Sequence, residues 1–320
     1  MKNRKAFSII LIWAFFAFAI SCKQNHDRLQ IGVIQYANQS ILDSVYSGIN
    51  HEFSKQKDKY QILYQVAHGD PILNAAISKQ LVKKSVSLII ALGTPSAQSV
   101  INETKTIPVV FTAITDPVGA KLASTMEQPG SNKTGYTNMQ PFDKQIELIQ
   151  LFKPDAKKVG IIINSGEANC VAGMVYVRKA LEDLHIPYME LNATTAAEIT
   201  ACAQSLSNKC DVFFISPSNT IYENLGAMSN VAKKKGIIIV GGDQTAVLKY
   251  GSVGTYTYNF VEMGANTADL AMRILDEKLD PGNIPVSRPA NTYLYINESA
   301  AHDLGLTVSD TLLNNAVEVY

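Results

Sequence analysis

Short apolar runs rich in β-branched residues alternate along this chain with longer amphipathic stretches. The runs 31–35 (IGVIQ), 88–92 (LIIAL) and 159–163 (VGIII) are each followed by a polar loop and then by residues with helical periodicity. Strands that alternate with helices in this way are typical of parallel sheets covered by helices on both faces. The pattern therefore predicts an α/β fold built from doubly wound parallel sheets.

The apolar runs recur in two matching series. Each of three runs in the first half has a counterpart about 125 residues later, in the pairs 31–35 and 159–163, 88–92 and 212–215, and 108–111 and 237–240. This spacing is far longer than the roughly 20 to 50 residues of solenoid repeats. The sequence therefore predicts two similar α/β lobes.

The chain is expected to pass between the lobes more than once. Crossings near 139, 258 and 287 are predicted, with a helix over 261–279 and a late strand over 292–296. The predicted first lobe comprises 29–138 and 258–286, and the predicted second lobe comprises 139–257 and 287–320. Three connecting segments would form a hinge that lets the lobes close.

The first 22 residues have the pattern of a lipoprotein export signal. A basic start (Lys2, Arg4 and Lys5) precedes an apolar stretch over 6–20, which is short for a membrane-spanning helix. Cys22 follows Ser21 directly, where a lipidated cysteine would become the new N-terminus. We therefore expect a lipoprotein signal peptide over 1–21, lipidation of Cys22, a polar tether over 22–28 and an extracytoplasmic, membrane-anchored protein. A plain signal peptide with a chance cysteine and an uncleaved membrane anchor are the alternatives.

The balance of charges indicates the class of binding partner, and the cysteine content bears on a possible disulfide. Lys and Arg together number 28, as do Asp and Glu, so the chain lacks the excess of positive charge that nucleic-acid binding requires. We therefore expect a small-molecule partner and no nucleic acid. An exported protein can hold a disulfide, so Cys202 and Cys210 could be either paired or free thiols.

Polar residues are concentrated where predicted strands end, which is where open parallel sheets bind ligands. These loops cover 35–39, 94–98, 115–117, 164–169, 216–220 and 241–244. Hydroxyl groups and helix N-termini suit a carboxylate, and Asp116 or Asp243 suits an ammonium group, so a zwitterion matches this set. Thr94, Ser216 and Asp116 could instead simply cap helices.

Aromatic residues also lie near predicted strand ends and could stack on an apolar or aromatic ligand. They are Tyr36, Phe111, Tyr136, Tyr222, Tyr256 and Tyr258. Packing in the core is the alternative for each, and for Phe111 it is the favoured one.

These motifs resemble the substrate-binding lipoproteins of ABC transporters that have the type I periplasmic-binding-protein fold, especially the branch associated with tryptophan and tyrosine uptake. The resemblance rests on LIIALGTPSAQSV, IPVVFTAITDPVGAKL, PGSNKTGYTN, IIINSGEANCVAG and ISPSNT at these distances, and it runs from about Leu29 to the end of the chain. It implies a receptor that delivers a small ligand, by preference an aromatic or other apolar amino acid, to a permease and ATPase complex.

The resemblance also implies which residues line the cleft between the lobes. They are Thr94, Ser96, Gln98, Asp116, Asn164, Glu167, Asn169, Ser218, Asn219 and Asp243. Gln35, Asn38 and Thr115 lie in the same loops, and we predict that they also contact the ligand. The chain departs from the family pattern at 38–40, where Asn-Gln-Ser replaces the usual Glu-His-Pro, and at 242–244, so ligand specificity could differ from that of the branch.

Two other functions are alternatives to an importer receptor. A ligand sensor or surface adhesin could use the same cleft. An enzyme is disfavoured because no P-loop, G-x-S-x-G, H-E-x-x-H or G-x-G-x-x-G motif occurs and the five histidines are scattered. We expect no catalytic residues, no metal and no cofactor.

Overall fold

Two β-sheets organise the computed structural model of the chain, which describes residues 28–320. The predicted signal peptide, Cys22 and the tether up to residue 27 lie outside the described residues. None of the helices within 28–320 combines the length and hydrophobicity that a bilayer crossing requires.

The first sheet contains five parallel strands in the order β2-β1-β3-β4-β5. The strands are β1 (Leu29–Gln35), β2 (Tyr60–Val66), β3 (Leu88–Leu92), β4 (Val109–Ile114) and β5 (Lys133–Thr137). Every residue of β3 and β4 is buried, as expected for central strands covered by helices on both faces.

The second sheet contains seven strands in the order β12-β11-β10-β9-β8-β6-β7. They are β6 (Val159–Ile163), β7 (Tyr188–Asn192), β8 (Val212–Phe214), β9 (Ile238–Val240), β10 (Ser252–Thr257), β11 (Tyr293–Ile296) and β12 (Glu318–Val319). All neighbours are parallel except β10 and β11. The order β7-β6-β8-β9-β10 repeats that of the first sheet, so the predicted fold of two doubly wound lobes is confirmed.

The helices connect and cover these strands. They are α1 (Ser40–Ser54), α2 (Pro71–Lys83), α3 (Thr94–Glu103), α4 (Phe142–Phe152), α5 (Ala168–Asp183), α6 (Ala196–Ser207), α7 (Asn219–Glu223), α8 (Leu225–Lys235), α9 (Gln244–Tyr250), α10 (Phe260–Asp276), α11 (Glu298–Asp303) and α12 (Asp310–Asn315). Helices α1–α3 and α10 pack with the first sheet, and we call this assembly the first lobe. The second sheet and the remaining helices form the second lobe.

The chain returns to the first lobe after completing β10. Helix α10 packs on α1, a 3₁₀ turn follows at Pro281–Asn283, and Ser287 then lies beside Tyr136 next to β5 before the chain forms β11 in the second sheet. The predicted helix 261–279 is α10 with an earlier end, because the chain turns at Lys278, which has a positive φ of 54°. The exact lobe boundaries given above stay a prediction.

The described cysteines are free thiols. Cys170 and Cys210 are buried, and Cys202 is partly exposed. Burial is the main cause that raises the pKa of each thiol. Of the two alternatives left open for Cys202 and Cys210, the structure contains the unpaired one.

Two glycines allow α1 and α10 to approach backbone to backbone. A Cβ atom on Gly264 would lie 2.0 Å from the carbonyl oxygen of Val45, and one on Gly48 would lie 2.0 Å from that of Val261. Because the opposing atoms belong to the backbone, no side-chain movement could relieve the overlap with an added Cβ atom. This contact holds the returning helix on the first lobe.

We expect Gly264→Ala to lower the free energy of unfolding by about 1–3 kcal/mol, because the added methyl group must push the two helices apart. Thermal unfolding should then begin several degrees lower, at about 2–4 °C for each kcal/mol. Gly226→Ala in α8 is the matched control, since its Cβ would meet nothing nearer than Tyr250 Cε1 at 3.6 Å. The control should be neutral or stabilising by up to about 1 kcal/mol. Equal melting temperatures for both variants would contradict the close contact.

Candidate functional site

A cavity lies between the lobes, where the carboxyl ends of strands from both sheets meet. The loops after β1, β3, β4, β5, β6 and β8 all reach it. The lining residues are Gln39, Ile41, Leu42, Thr94, Ala113, Thr115, Asn138, Gln140, Phe142, Gln145, Asn169, Ile215, Pro217, Ser218, Asn219 and Tyr222.

Four helices begin at this cavity without a side-chain cap. Helices α1, α3, α4 and α5 each contribute lining residues from their first turn or the residue before it, and the residues that precede them cap no N–H group with a side chain. By contrast, α2, α6, α9 and α10 have side-chain caps. Uncapped N-termini carry partial positive charge, so the cavity wall attracts an anionic group.

Three buried polar atoms on lining residues have no hydrogen-bond partner in the protein. They are Thr94 Oγ1, Asn138 Oδ1 and Gln140 Nε2. Among the described side chains, only one further buried polar atom lacks a hydrogen-bond partner. It is Gln65 Oε1, which lies outside the cavity lining. Buried polar groups are almost always paired, because an unpaired one costs about 1–3 kcal/mol. Their concentration here indicates that a polar ligand completes the site.

Strain at Ala113 also marks the cavity wall. This residue has a positive φ of 56°, and the pairing of β4 with β5 is irregular between Phe111 and Ile114. A bulge of this kind turns a strand locally and redirects its side chains. It brings Ala113 and Thr115 to the cavity.

The side chain of Glu167 binds the N-terminus of α7. Its carboxylate accepts hydrogen bonds from the backbone N–H groups of Asn219 (2.6 Å) and Thr220 (2.9 Å), and from the Thr220 hydroxyl. Asn164 donates to the same carboxylate. These N–H groups are therefore unavailable to a ligand carboxylate.

Asp243 is 3% exposed and connects the two lobes. One carboxylate oxygen accepts from the backbone N–H of Ala246 (2.8 Å) and caps α9, and the other accepts from the Ser40 hydroxyl of the first lobe (2.5 Å). Burial raises the pKa of the Asp243 carboxyl, and these hydrogen bonds oppose the shift. Both oxygens are thus engaged by the protein.

The predicted site residues fall into three groups. Five line the cavity: Thr94, Thr115, Asn169, Ser218 and Asn219. Three lie directly behind its wall and hold lining segments in place: Asn164, Glu167 and Asp243.

The other five predicted residues do not line the cavity, because each is used elsewhere. Gln35 bonds Asp43 and Tyr64, and Ser96 bonds Asn74. Gln98 donates to the Ala120 carbonyl, and the Asp116 carboxylate accepts from the Gly119 N–H. The Asn38 side chain pairs with His68 at the surface.

Sequence reasoning missed several lining residues. Asn138, Gln140 and Phe142 were not predicted as ligand contacts, because 138–142 was interpreted only as a crossing between lobes. Gln145 was not predicted either, and Gln39 was included only as part of the polar loop 35–39. The available signal was the pair of amides, Asn138 and Gln140, in a crossing segment that must pass the cleft.

Thr94 and the aromatic residues also differ from expectation. Gly93, and not Thr94, is the N-cap of α3, which leaves the Thr94 hydroxyl free for the cavity. Tyr222 lines the cavity, and burial of its hydroxyl raises its pKa well above the usual value. Phe111 is fully buried in the core. Tyr36, Tyr136, Tyr256 and Tyr258 are not lining residues.

The described residues show no cluster of three or more His, Cys, Asp or Glu side chains arranged to hold a metal ion.

Comparison with known proteins agrees with this architecture. The family model described as "ABC transporter substrate binding protein" matches residues 30–320. A tyrosine-binding protein of Clostridioides difficile is 30% identical over 325 residues, covering 96% of this chain and 94% of that protein.

Two solved structures show how the lobes are arranged. A domain from Streptococcus pneumoniae in complex with L-Trp is 26% identical, covers 92% of this chain and 100% of that chain, and has a TM-score of 0.87. The ligand-free, open structure of a substrate-binding protein with adhesive properties from Clostridium difficile is 27% identical, covers 91% and 98%, and has a TM-score of 0.68. At nearly equal identity, the structure of this chain has the higher TM-score with the L-Trp complex.

The family match, the two repeated sheets and the cavity between the lobes lead to one conclusion: the chain belongs to the ABC transporter substrate-binding proteins and has the type I periplasmic-binding-protein fold.

Proposed function

We propose that this chain is the lipid-anchored receptor of an ABC importer and that it binds a free amino acid, by preference an aromatic one, in the interlobe cavity. The observation that carries this proposal is the group of unpartnered polar atoms on Thr94, Asn138 and Gln140. The tyrosine-binding relative and the L-Trp complex support the ligand class.

The ligand carboxylate would lie at the start of α3. The Thr94 hydroxyl can donate to it, the uncapped N-terminus of α3 adds partial positive charge, and Gln140 Nε2 is a further donor without a partner. Gln140 Oε1 already accepts from the Thr257 hydroxyl at 3.1 Å, which leaves the amide nitrogen for the ligand.

The ligand ammonium would meet carbonyl oxygen and not a free carboxylate. Asn138 Oδ1 is a buried acceptor without a partner, whereas the carboxylates of Glu167 and Asp243 are bonded within the protein. We therefore assign the ammonium contact to Asn138 in place of Asp116 or Asp243, the residues expected from the sequence.

The wall also contains apolar residues, which suit an apolar or aromatic side chain of the ligand. Its apolar members are Ile41, Leu42, Ala113, Phe142, Ile215, Pro217 and Tyr222. The rings of Phe142 and Tyr222 can contact an aromatic ligand in stacked or edge-to-face geometry.

Ligand contacts on both lobes would favour the closed form, because a ligand shifts a conformational equilibrium only through different affinities for the two states. The closed receptor would then deliver its ligand to a permease and ATPase complex. The lipid anchor at Cys22 rests on the sequence of the export signal.

A second candidate function is a ligand-binding surface adhesin or sensor. The specific observation in its favour is the relative that is described as having adhesive properties. Both candidates use the same cavity, so ligand binding alone does not separate them, whereas uptake does. Deletion of the gene should abolish uptake of the bound amino acid by cells if the receptor serves an importer.

Ligand identity can be tested with a thermal-shift panel of the twenty amino acids on protein stripped of bound ligand by unfolding and refolding. We expect tyrosine, tryptophan or phenylalanine to raise the melting temperature by about 5–10 °C. This follows because ligand at 100 times its Kd adds about 2.7 kcal/mol to stability. A panel in which no amino acid shifts the transition would contradict the proposal.

Thr94→Val should weaken binding of that amino acid by about 10- to 100-fold in calorimetry, since it removes a donor to a charged group without changing side-chain shape. Thr200→Val is the matched control, because its hydroxyl bonds only the Ala196 carbonyl on α6, remote from the cavity. Unchanged affinity in Thr94→Val would exclude the assigned carboxylate contact.

Cys22→Ser should shift the protein from the membrane fraction to the soluble fraction of cells, because the acylated thiol would be lost. Immunoblots of fractionated cells measure this, with Cys202→Ser as the control. Retention of Cys22→Ser in the membrane fraction would argue against lipid anchoring.

A further inference from the structure

Three consecutive residues of the first lobe each donate a hydrogen bond to the second lobe. The Asn38 backbone N–H donates to Glu223 Oε1 (3.2 Å), Gln39 Nε2 donates to Asn219 Oδ1 (2.7 Å), and the Ser40 hydroxyl donates to Asp243 Oδ2 (2.5 Å). The paired residues are at least 180 positions apart in sequence. These bonds join the two lobes, so a movement of the lobes apart would break them.

We propose that residues 38–40 form a built-in clasp that stabilises the closed receptor, and that Ser40 is a positioning residue that sets how tightly and for how long ligand is held. The effect on ligand retention rests on the function proposed above, whereas the stabilisation of the closed form does not.

Ser40 carries most of this effect because its partner is a deeply buried carboxylate. Asp243 is 3% exposed, and none of the ion pairs found among residues 28–320 includes it. A buried carboxylate without a cation is unfavourable unless hydrogen bonds compensate for lost water. In the closed form the Ser40 hydroxyl provides one of these bonds, and in an open form water can take its place.

Gln39 links the clasp to the ligand cavity. Asn219, which accepts from Gln39, donates in turn to Asn169 Oδ1 (3.4 Å), and Asn169 donates to the Pro217 carbonyl (2.8 Å). All four of these residues line the cavity. The bond from Gln39 thus connects the first lobe to a series of hydrogen-bonded amides that positions the cavity wall of the second lobe.

Ser40 itself is not a lining residue, so it would act on the ligand only through the position of the lobes. Contacts that favour closure without ligand raise the fraction of receptor that is competent to hold it, and apparent affinity rises in proportion. Loss of the Ser40 hydroxyl should therefore open the free receptor and speed ligand release.

The test compares Ser40→Ala with Ser54→Ala. Ser54 ends the same helix, and its hydroxyl bonds only the His51 carbonyl at the surface. Small-angle X-ray scattering of both stripped proteins without ligand measures the opening of the lobes, and stopped-flow measurements with L-tyrosine and L-tryptophan give dissociation rates. We expect Ser40→Ala to have a larger radius of gyration than Ser54→Ala and about 10-fold faster dissociation.

A second pair of variants separates the clasp from a general loss of packing. Ser40→Thr keeps the hydroxyl and should restore both readouts. In an Asp243→Asn background, Ser40→Ala should have a smaller effect than in the natural chain, because the two residues act as a pair.

Identical scattering and dissociation for Ser40→Ala and Ser54→Ala would overturn the clasp. Scattering needs no ligand, so a difference in scattering without any amino acid binding would support the clasp and count against the proposed ligand instead.

Discussion

The constraint on which this structure depends is that the carboxyl ends of two parallel sheets face each other across one cleft. Helices that follow these strands then begin at the cleft, and their first N–H groups have no partner within the helix. The protein satisfies some of these groups with its own side chains, as Glu167 does at α7. It leaves others open at α1, α3, α4 and α5, and the chemistry of the site follows from this division.

The same division is the reason that we assign no ligand contact to the acidic residues near the cleft. Glu167 and Asp243 are buried, and each is held by donors from other parts of the chain. They fix the walls, while neutral side chains of Thr94, Asn138 and Gln140 retain unused hydrogen-bonding capacity. Neutral groups suit a zwitterion, because burying an unpaired protein charge in the empty cavity would be far more costly than burying an amide.

The repeated pattern of apolar runs was sufficient to predict the fold, because each run forms a buried strand whose neighbours follow from the duplication. The strand-end rule also located Thr94, Thr115, Asn169, Ser218 and Asn219 at the cavity. It failed where a polar side chain had a remote partner, as Ser96 has in Asn74 and Asp243 has in Ser40. Such pairings depend on lobe closure and on packing between elements, which local sequence does not encode.

Asn138 and Gln140 were missed for a different reason. They lie on a segment that connects the lobes, and such segments carry no strand or helix periodicity to indicate which side chains face inward. In the structure this connection also forms part of the cavity wall, so ligand contacts there would be coupled directly to the relative position of the lobes.

The central claim is that a zwitterionic amino acid is held by these neutral groups at the start of α3. A crystal structure of the complex with L-tyrosine or L-tryptophan tests this most directly. The account predicts the ligand carboxylate within hydrogen-bonding distance of Thr94 Oγ1 and the ammonium within that distance of Asn138 Oδ1. A ligand ammonium paired with Asp243 or Asp116, with the Thr94 hydroxyl left unbonded, would contradict it.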